Sequence, residues 1–417
     1  MRPSVIIIGG GFAGLTVAQE LDDRAEVLIV SDQNFLLFTP MLAEVASGDL
    51  DPRHIVTPLR DIVPRARVIS GTVESVDLES HSVKVRRPFG LDPLELSADA
   101  LVVAVGSVPA TFGTEGVEEW ALSFKTIGDA LRIRNRVLAL LESATEEIDP
   151  SLTHLAIVGA GYSGAELAAA MADFIGSAAR RYFPSAPRPR VTLIDALDRV
   201  APTLPTRLSA AAERALARRG VDVLLGEKVR AVTPDGLELE SGRTIDARTV
   251  VWAAGVTPHP LAEELGLPLE RGRIVVDCHL EAAPGVFALG DVAAVPDGKG
   301  RMSPPTAQFA IRQGRYLGRN LPRILSGRRA SAFRHRGMGE LVSLGHRNAV
   351  GQVMGLRVSG FVGWFAWRAY YLSRLPSWLR KVRVGMDWAL DLLFPPDVSS
   401  LPSQDLGPQR DRPPKLS

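Results

Sequence analysis

Two glycine-rich hexapeptides carry the plainest chemistry in the chain: Gly9-Gly10-Gly11-Phe12-Ala13-Gly14 and Gly159-Ala160-Gly161-Tyr162-Ser163-Gly164. Both fit the pattern GxGxxG. In such a loop the first glycine allows a tight turn, and the second (Gly11, Gly161) lets the backbone approach a pyrophosphate. The third (Gly14, Gly164) lets helix and strand pack closely. The phosphates then face the positive end of a helix dipole. A glycine turn without a ligand is the plain alternative, but the flanking pattern favours a dinucleotide cradle in both places.

The acids near these loops bear on which nucleotides they take. The apolar run Val27–Val30 ends in Ser31-Asp32. A ribose hydroxyl needs an acceptor there, and Ser31 and Asp32 both remain candidates. The run Val191–Ile194 ends in Asp195. A carboxylate at that point accepts from a 2′-hydroxyl and repels a 2′-phosphate, which favours NADH over NADPH; a strand-end cap is the alternative. Gly290-Asp291, after Val286-Phe287, fits a second contact to the first nucleotide, with a simple turn as the bland reading. If one nucleotide is a flavin and the other a nicotinamide, hydride transfer is the natural chemistry.

A single cysteine, Cys278, excludes an internal disulfide, a CxxC pair and a cysteine zinc site within one chain. Set among Val275, Val276 and Asp277, it reads as a buried structural thiol. The seven histidines show no metal-ligand spacing, and no metal is expected.

The elements that must position these residues repeat. An apolar run, a glycine loop and an alanine-rich helix occupy Val5–Leu21 and recur at Leu155–Ala172, each followed by a second apolar run. This is the βαβ rhythm of a parallel, doubly wound sheet, present twice. Val68–Val85 and Leu101–Val105 read as short strands returning to the first sheet. Ala130–Glu147 reads as a helix leading out of it. Val221–Leu225, Leu237–Leu239 and Thr249–Ala253 continue the second unit. Ile274–Val276 and Val286–Leu289 read as strands rejoining the first domain, and Ala307–Leu325 as a helix.

With the loops on the page, the chain resembles the two-dinucleotide-domain flavoprotein oxidoreductases, and within them the type II NADH dehydrogenases. The resemblance covers about residues 4 to 398. It includes Phe38-Thr39-Pro40-Met41-Leu42 with Ala46-Ser47-Gly48, Ala104-Val105-Gly106-Ser107, and Trp252-Ala253-Ala254-Gly255-Val256. Pro304-Pro305-Thr306-Ala307-Gln308 and Gln313-Gly314 complete it. It implies non-covalent FAD on the first loop, with Gly106, Ala307 and Gln308 near it, NADH as substrate on the second loop with Gly255, and a quinone acceptor. It also implies that Glu166 lies by the nicotinamide and flavin, orienting the one or relaying a proton.

Two departures qualify what the resemblance implies. Val105 replaces the threonine usual in the wider family. In the quinone-site helix Arg312 stands four residues after Gln308, where a second glutamine is usual. Residues at i and i+4 share a helix face, so Arg312 points into the same pocket. A cation there suits a quinone oxygen or an anionic quinol, or else a different acceptor. Sulfide:quinone and disulfide reductases are disfavoured, because Met41–Gly48 holds no cysteine.

Composition narrows the partners. With 46% hydrophobic and 23% charged residues the chain is an ordinary globular one, and its net charge of +1 argues against a general nucleic-acid binder. Cations nevertheless gather between Arg328 and Gly385: Arg328, Arg329, Arg334, Arg336, Arg347, Arg357, Arg368, Arg374, Arg380, Lys381 and Arg383 stand against one acid, Glu340. Within Phe361–Phe394 they interleave with Trp364, Trp367, Trp378, Trp388, Tyr370 and Tyr371. Aromatics beside cations suit the headgroup layer of an anionic membrane. A homodimer interface is the alternative.

The expected architecture is therefore α/β, with two Rossmann-like dinucleotide-binding domains, the NAD domain inserted in the FAD domain, plus a C-terminal membrane-associating region. The FAD domain takes 1–115 and 275–327, the NADH domain 150–274, the membrane region 328–396, and a disordered tail 397–417. No apolar stretch is long enough to span a bilayer, and the N-terminus does not read as a secretory signal. The expected place is the cytoplasmic face of the cell membrane, peripherally bound. A reductase of a small electron-transfer protein and a non-catalytic FAD/NADH redox sensor stand as alternatives.

Overall fold

In a computed structural model the chain forms two compact units. One comprises Met1–Leu37, Val56–Val108 and Val256–Gly337; the other comprises Phe38–Ile55, Pro109–Gly255 and Met338–Ser417. The structure describes residues 2–298, 301–328, 330–334, 339–353 and 356–400. Six helices position the candidate residues: α1 (Phe12–Leu21), α2 (Leu42–Ser47), α3 (Tyr162–Tyr182), α4 (Ala307–Leu325), α5 (Gly360–Arg374) and α6 (Trp378–Asp391).

The first unit is built on a six-stranded sheet. Its order is Glu281–Ala283, Val286–Ala288, Ala100–Val103, Ser4–Ile8, Glu26–Ser31, Arg67–Ser70. The pairs from Val286–Ala288 onward are parallel. Val5, Ile6, Ile7 and Ile8 are all buried, as a central parallel strand covered on both faces requires. Helices α1 and α4 pack together, and their buried Leu15, Val17, Leu21, Leu317 and Leu321 join one continuous core with the sheet.

The second unit carries a five-stranded parallel sheet in the order Leu122–Ser123, Thr249–Trp252, His154–Val158, Arg190–Asp195, Val221–Leu225. Helix α3 runs from its glycine loop, and the short α2 packs against it. A three-stranded antiparallel sheet (Gly339–Ser343, Ala349–Val353, Leu356–Ser359) leads into α5 and α6.

Two sequence expectations change. Only Arg67–Ser70 of the stretch Val68–Val85 enters the first sheet. Thr72–Asp77 and Ser82–Arg86 pair with Leu94–Ser97 in a separate antiparallel sheet, because a tight turn at residues 78–81 folds the chain back on itself. Arg273–Val275 lies in the first unit, as expected, where it pairs with Leu269–Glu270 and Ala293–Ala294 in a small sheet of its own. Cys278 is exposed, not buried. It follows the strand, in a turn where the Asp277 carboxylate accepts from the amides of His279 and Glu281 at 2.8 and 2.9 Å. Of the expected disordered tail 397–417, residues 401–417 lie outside the described residues.

Candidate active site

The first glycine loop closes the Ser4–Ile8 strand at its carboxyl end, where doubly wound sheets bind ligands. Gly9 has φ +113°, and a side chain there would strike the Ala104 carbonyl oxygen at 2.4 Å. A side chain on Gly14 would meet the Gly9 carbonyl oxygen at 2.2 Å. Gly11 differs: its φ is ordinary, and a Cβ would meet nothing within 4 Å. It is the N-cap of α1 and makes no side-chain cap hydrogen bond, so the start of the helix adjoins the open space beside Gly11. The second loop repeats this geometry. Gly159 (φ +107°) and Gly164 are hemmed in by backbone, while Gly161 caps α3 with nothing within 4 Å of a Cβ and no side-chain cap. Ser163 is exposed beside it. Each cradle thus has the room and the dipole that a pyrophosphate needs.

Further groups converge on the first cradle. Gly290, at φ +79°, brings its backbone against Ala13: a Cβ there would lie 3.2 Å from that of Ala13. Asp291 accepts from Ser107 Oγ at 2.7 Å, which ties it to the turn at Gly106 (φ +74°). Gln313, quoted in the resemblance without a role, is buried, and its Oε1 accepts from Gly290 N at 2.8 Å. A side chain at Gly314 would meet the Ala13 carbonyl oxygen at 2.7 Å, so the close approach of α4 to α1 depends on that glycine. The signal available was Gln-Gly on the inner stripe of an amphipathic helix.

The remaining candidates of this unit lie around that frame. Ser31 is buried and accepts from Gln33 N at 3.2 Å, while Asp32 is exposed, so both stay at the strand end. Ala307 starts α4 after Thr306, followed by Gln308. Arg312 turns back along the helix and donates to the Gln308 carbonyl oxygen at 3.1 Å.

In the second unit Asp195 ends its strand. Oδ2 accepts from Ala160 N, inside the glycine loop, at 2.5 Å, and Oδ1 from Leu197 N at 2.8 Å. A carboxylate has about four lone-pair sites. Two anchor the loop, and capacity for a ribose hydroxyl remains. Gly255 (φ +148°) lies against the Phe112 ring, and its carbonyl accepts from Ala110 N at 3.1 Å.

Glu166 sits on the first turns of α3, two residues past the loop. Its Oε1 accepts from Ser343 N at 2.9 Å and from Trp367 Nε1 at 3.2 Å. Burial pushes its carboxyl up to about 8, against those two hydrogen bonds. Glu44, not anticipated, is buried on α2. Its Oε2 accepts from Trp388 Nε1 at 3.1 Å, and its Oε1 lies 3.7 Å from the Arg368 guanidinium. Burial drives it up to about 8 as well, with Arg368 opposing. An acid inside the otherwise apolar run Leu42-Ala43-Glu44-Val45-Ala46 was the available signal.

The C-terminal aromatics divide in two. Trp364, Trp367 and Trp388 are buried, and Arg368 lies between two of them, 4.1 Å from the Trp364 ring centre and 4.6 Å from that of Trp388. These three indoles and Arg368 therefore do not lie at a headgroup layer, because Trp367 and Trp388 donate to the buried Glu166 and Glu44 and Arg368 packs between rings beside Glu44. Trp378 is 74% exposed, together with Phe361, Val362 and Phe365 of α5 and Leu379, Val382, Met386 and Leu390 of α6. Trp378, Val382, Met386 and Leu390 recur every four residues, which makes one face. Arg374 and Arg383 are exposed nearby in sequence. Among the described residues no helix is long and apolar enough to cross a membrane.

Comparison with known proteins agrees with this geometry. Residues 3–314 match the family described as pyridine nucleotide-disulphide oxidoreductase, and residues 337–396 match the NDH2 C-terminal domain. A probable NADH dehydrogenase of Dictyostelium discoideum is 32% identical, over 95% of this chain and 91% of its own. The type II NADH:quinone oxidoreductase Ndh of Mycobacterium tuberculosis is 31% identical, over 94% of this chain and 88% of its own. The solved structure of NDH2 from Plasmodium falciparum in complex with NADH superposes with a TM-score of 0.89. It covers 96% of this chain and all of that one; at 20% identity it speaks for the fold.

Proposed function

We propose how this chain, which belongs to the type II NADH:quinone oxidoreductase family, carries out its reaction: with non-covalent FAD on the first glycine cradle, NADH on the second, and a membrane quinone as acceptor. The observation that carries the reading is the pair of open cradles, each ahead of an uncapped helix N-terminus at the carboxyl end of a parallel sheet. Bound there, the flavin supplies two-electron chemistry that can take a hydride and pass electrons on.

The chain's own residues do the rest. Gly11 and the first turn of α1 bind the pyrophosphate. Ser31 or Asp32 meets the ribose, and Asp291, braced by Ser107, meets the ribityl hydroxyls. Gly161, Ser163 and Asp195 hold NADH, and Asp195 repels a 2′-phosphate. Glu166 orients the nicotinamide or relays a proton. Gln308 and Arg312 face the quinone head, with Gly106, Gly255 and Ala307 shaping the flavin's surroundings. Residues 1–115 and 275–327 then serve the flavin and 150–274 serve NADH.

Residues 328–396 serve the membrane, on its cytoplasmic face. The exposed apolar face of α5 and α6 beside Arg374 and Arg383 supports docking on an anionic bilayer. It also favours a lipid-soluble acceptor over a small electron-transfer protein, which would not need it. Docked on one side only, the enzyme takes up its proton where it reduces the quinone, and electron transfer proceeds without pumping.

The test is the purified protein with NADH and NADPH against ubiquinone and menaquinone analogues, ferredoxin and ferricyanide. The expected result is a yellow protein with one FAD per chain, preference for NADH, and quinone reduction. A colourless protein, or one that reduces ferredoxin but no quinone, overturns the reading.

A further inference from the structure

The second unit encloses a small cavity in which Glu166 meets titratable groups that have no part in holding a nucleotide. It offers about 20 Å³ to water, room for about one molecule. Glu44, Asp49, Glu166, His346 and Arg368 all line it. Glu44 and Glu166 thus meet at one space, each held through an indole N–H, from Trp388 and Trp367 respectively.

The cavity also has a polar way out. Polar side-chain atoms of Asp49, His346 and Asp391 lie within 4.8 Å of one another, and the side chain of His346 is 43% exposed. His346 Nδ1 is 3.7 Å from Asp391 Oδ2, and that buried oxygen has no hydrogen-bond partner. The series His346, Asp49, Glu44, Glu166 therefore leads from an exposed side chain to the carboxyl two residues past the second glycine loop.

The reaction gives such a series a task. NADH, a quinone and one proton become NAD⁺ and a quinol. The hydride carries two electrons and one hydrogen nucleus, and the second hydrogen must come from the medium as a proton. We propose that Glu44 is a relay residue, passing protons from the His346–Asp49 entrance to Glu166 during quinone reduction. This rests on the NADH:quinone reading above and adds the route of the proton to it.

The electrostatic setting supports that role. Burial holds Glu44 and Glu166 at about 8, so each carries a proton near neutral pH and can give it up and regain it. Asp49, raised to about 6 by burial and by Asp391, is the more acidic stop at the entrance. The groups facing Glu44 are Arg368 of α5, Trp388 and Asp391 of α6, Asp49 beyond α2, and Glu166 of α3. Tyr371 of α5 bears on Glu166 and stays neutral, its hydroxyl raised by burial. Arg368 opposes the rise at Glu44, which keeps its proton exchangeable.

The experiment uses the flavin-loaded protein and stopped flow, comparing Glu44→Gln, Glu44→Asp and His346→Gln with the parent. Ferricyanide takes electrons without protons and serves as control acceptor. In Glu44→Gln, reoxidation by a short-chain quinone should slow about a hundredfold or more, the lower end of the range for a lost proton-transfer group. Its pH profile should become shallower near 8, where Glu166 alone still titrates, and its solvent deuterium effect should grow, while reoxidation by ferricyanide keeps pace with the parent. Glu44→Asp should restore part of the rate, and His346→Gln, at an exposed position, should slow the quinone step several-fold. Infrared titration of the same proteins should show protonated-carboxyl absorption near neutral pH that loses one component in Glu44→Gln, with that of Glu166 remaining.

Unchanged quinone kinetics in Glu44→Gln or His346→Gln overturns the relay alone. Equal loss with both acceptors assigns Glu44 a structural role and also overturns it. A parent that reduces ferricyanide but no quinone overturns the functional reading beneath it.

Discussion

At Gly11 and Gly161 the backbone is ordinary and the space beside it is open, so a larger residue would leave the fold intact and fill only the cradle. Gly11→Leu is therefore expected to melt near the parent temperature while purifying without flavin; stoichiometric FAD measured by absorbance would contradict the assignment of the first cradle. Gly14→Ala is expected to destabilise, because its Cβ meets the Gly9 carbonyl oxygen at 2.2 Å. Asp195 serves the loop and, as proposed, the ribose. Asp195→Asn should narrow the preference for NADH by roughly 1–2 kcal/mol, the scale of one charged hydrogen-bond partner. Equal kcat/KM for NADH and NADPH in the parent would show that Asp195 only caps its strand. Glu44 gives a stability signature of its own. Its carboxyl rises from an ordinary 4.5 to about 8 on folding, so the folded chain binds that proton more tightly than the unfolded one. The contribution is complete below about pH 4.5 and is lost as pH rises through 8. Melting temperature should decline across that window, and Glu44→Gln should flatten the decline; an equally steep decline in the variant would show that Glu44 does not titrate there.

At the scale of elements, α4 joins two tasks. Its inner stripe, with Gln313, Gly314 and Leu317, fixes the Gly290 turn and packs on α1. Its first turns carry Gln308 and Arg312. Substituting Gln308→Ala or Arg312→Ala leaves the inner stripe alone, so flavin reduction by NADH should proceed at nearly the parent rate while reoxidation by quinone slows. Stopped-flow rates for the two half-reactions decide this, and parent-rate reoxidation in both variants would move the quinone head elsewhere. Helices α5 and α6 are likewise two-sided. Their inner faces place Trp367 and Trp388 on Glu166 and Glu44, and their outer faces expose Phe361, Phe365, Trp378 and Met386.

At the scale of the whole molecule, that two-sidedness sets how membrane docking must be tested. Removing residues from Phe361 onward would strip two indole donors from buried carboxyls and expose the core, so loss of binding would not be diagnostic. Charging the outer face alone is the cleaner change. Phe365→Glu with Met386→Glu should release the protein from anionic liposomes in a flotation assay. The same pair should lower turnover with long-tailed quinones more than with ferricyanide. Retained liposome binding would assign the face to another occupant. Neutralising Arg374 and Arg383 should weaken binding further at low salt than at high salt, where exposed charges are screened.

Much of the architecture was legible in the residues because it rests on local rules. A glycine loop between an apolar strand and an alanine-rich helix announces itself through backbone sterics, and its recurrence gives two parallel sheets. The bounds of α4 could likewise be read from its apolar spacing. Chain reversals near residue 79, the small sheet at Arg273–Val275 and the exposure of Cys278 could not, since each depends on which distant strand supplies the partner. The same limit hid Glu44 and misplaced three tryptophans. Composition cannot separate a ring that meets lipid from one that meets a buried carboxylate. That choice is made by tertiary packing, which brings α2, α3 and α5 around one cavity, sets Trp388 of α6 on Glu44, and leaves the opposite faces of α5 and α6 to the surroundings.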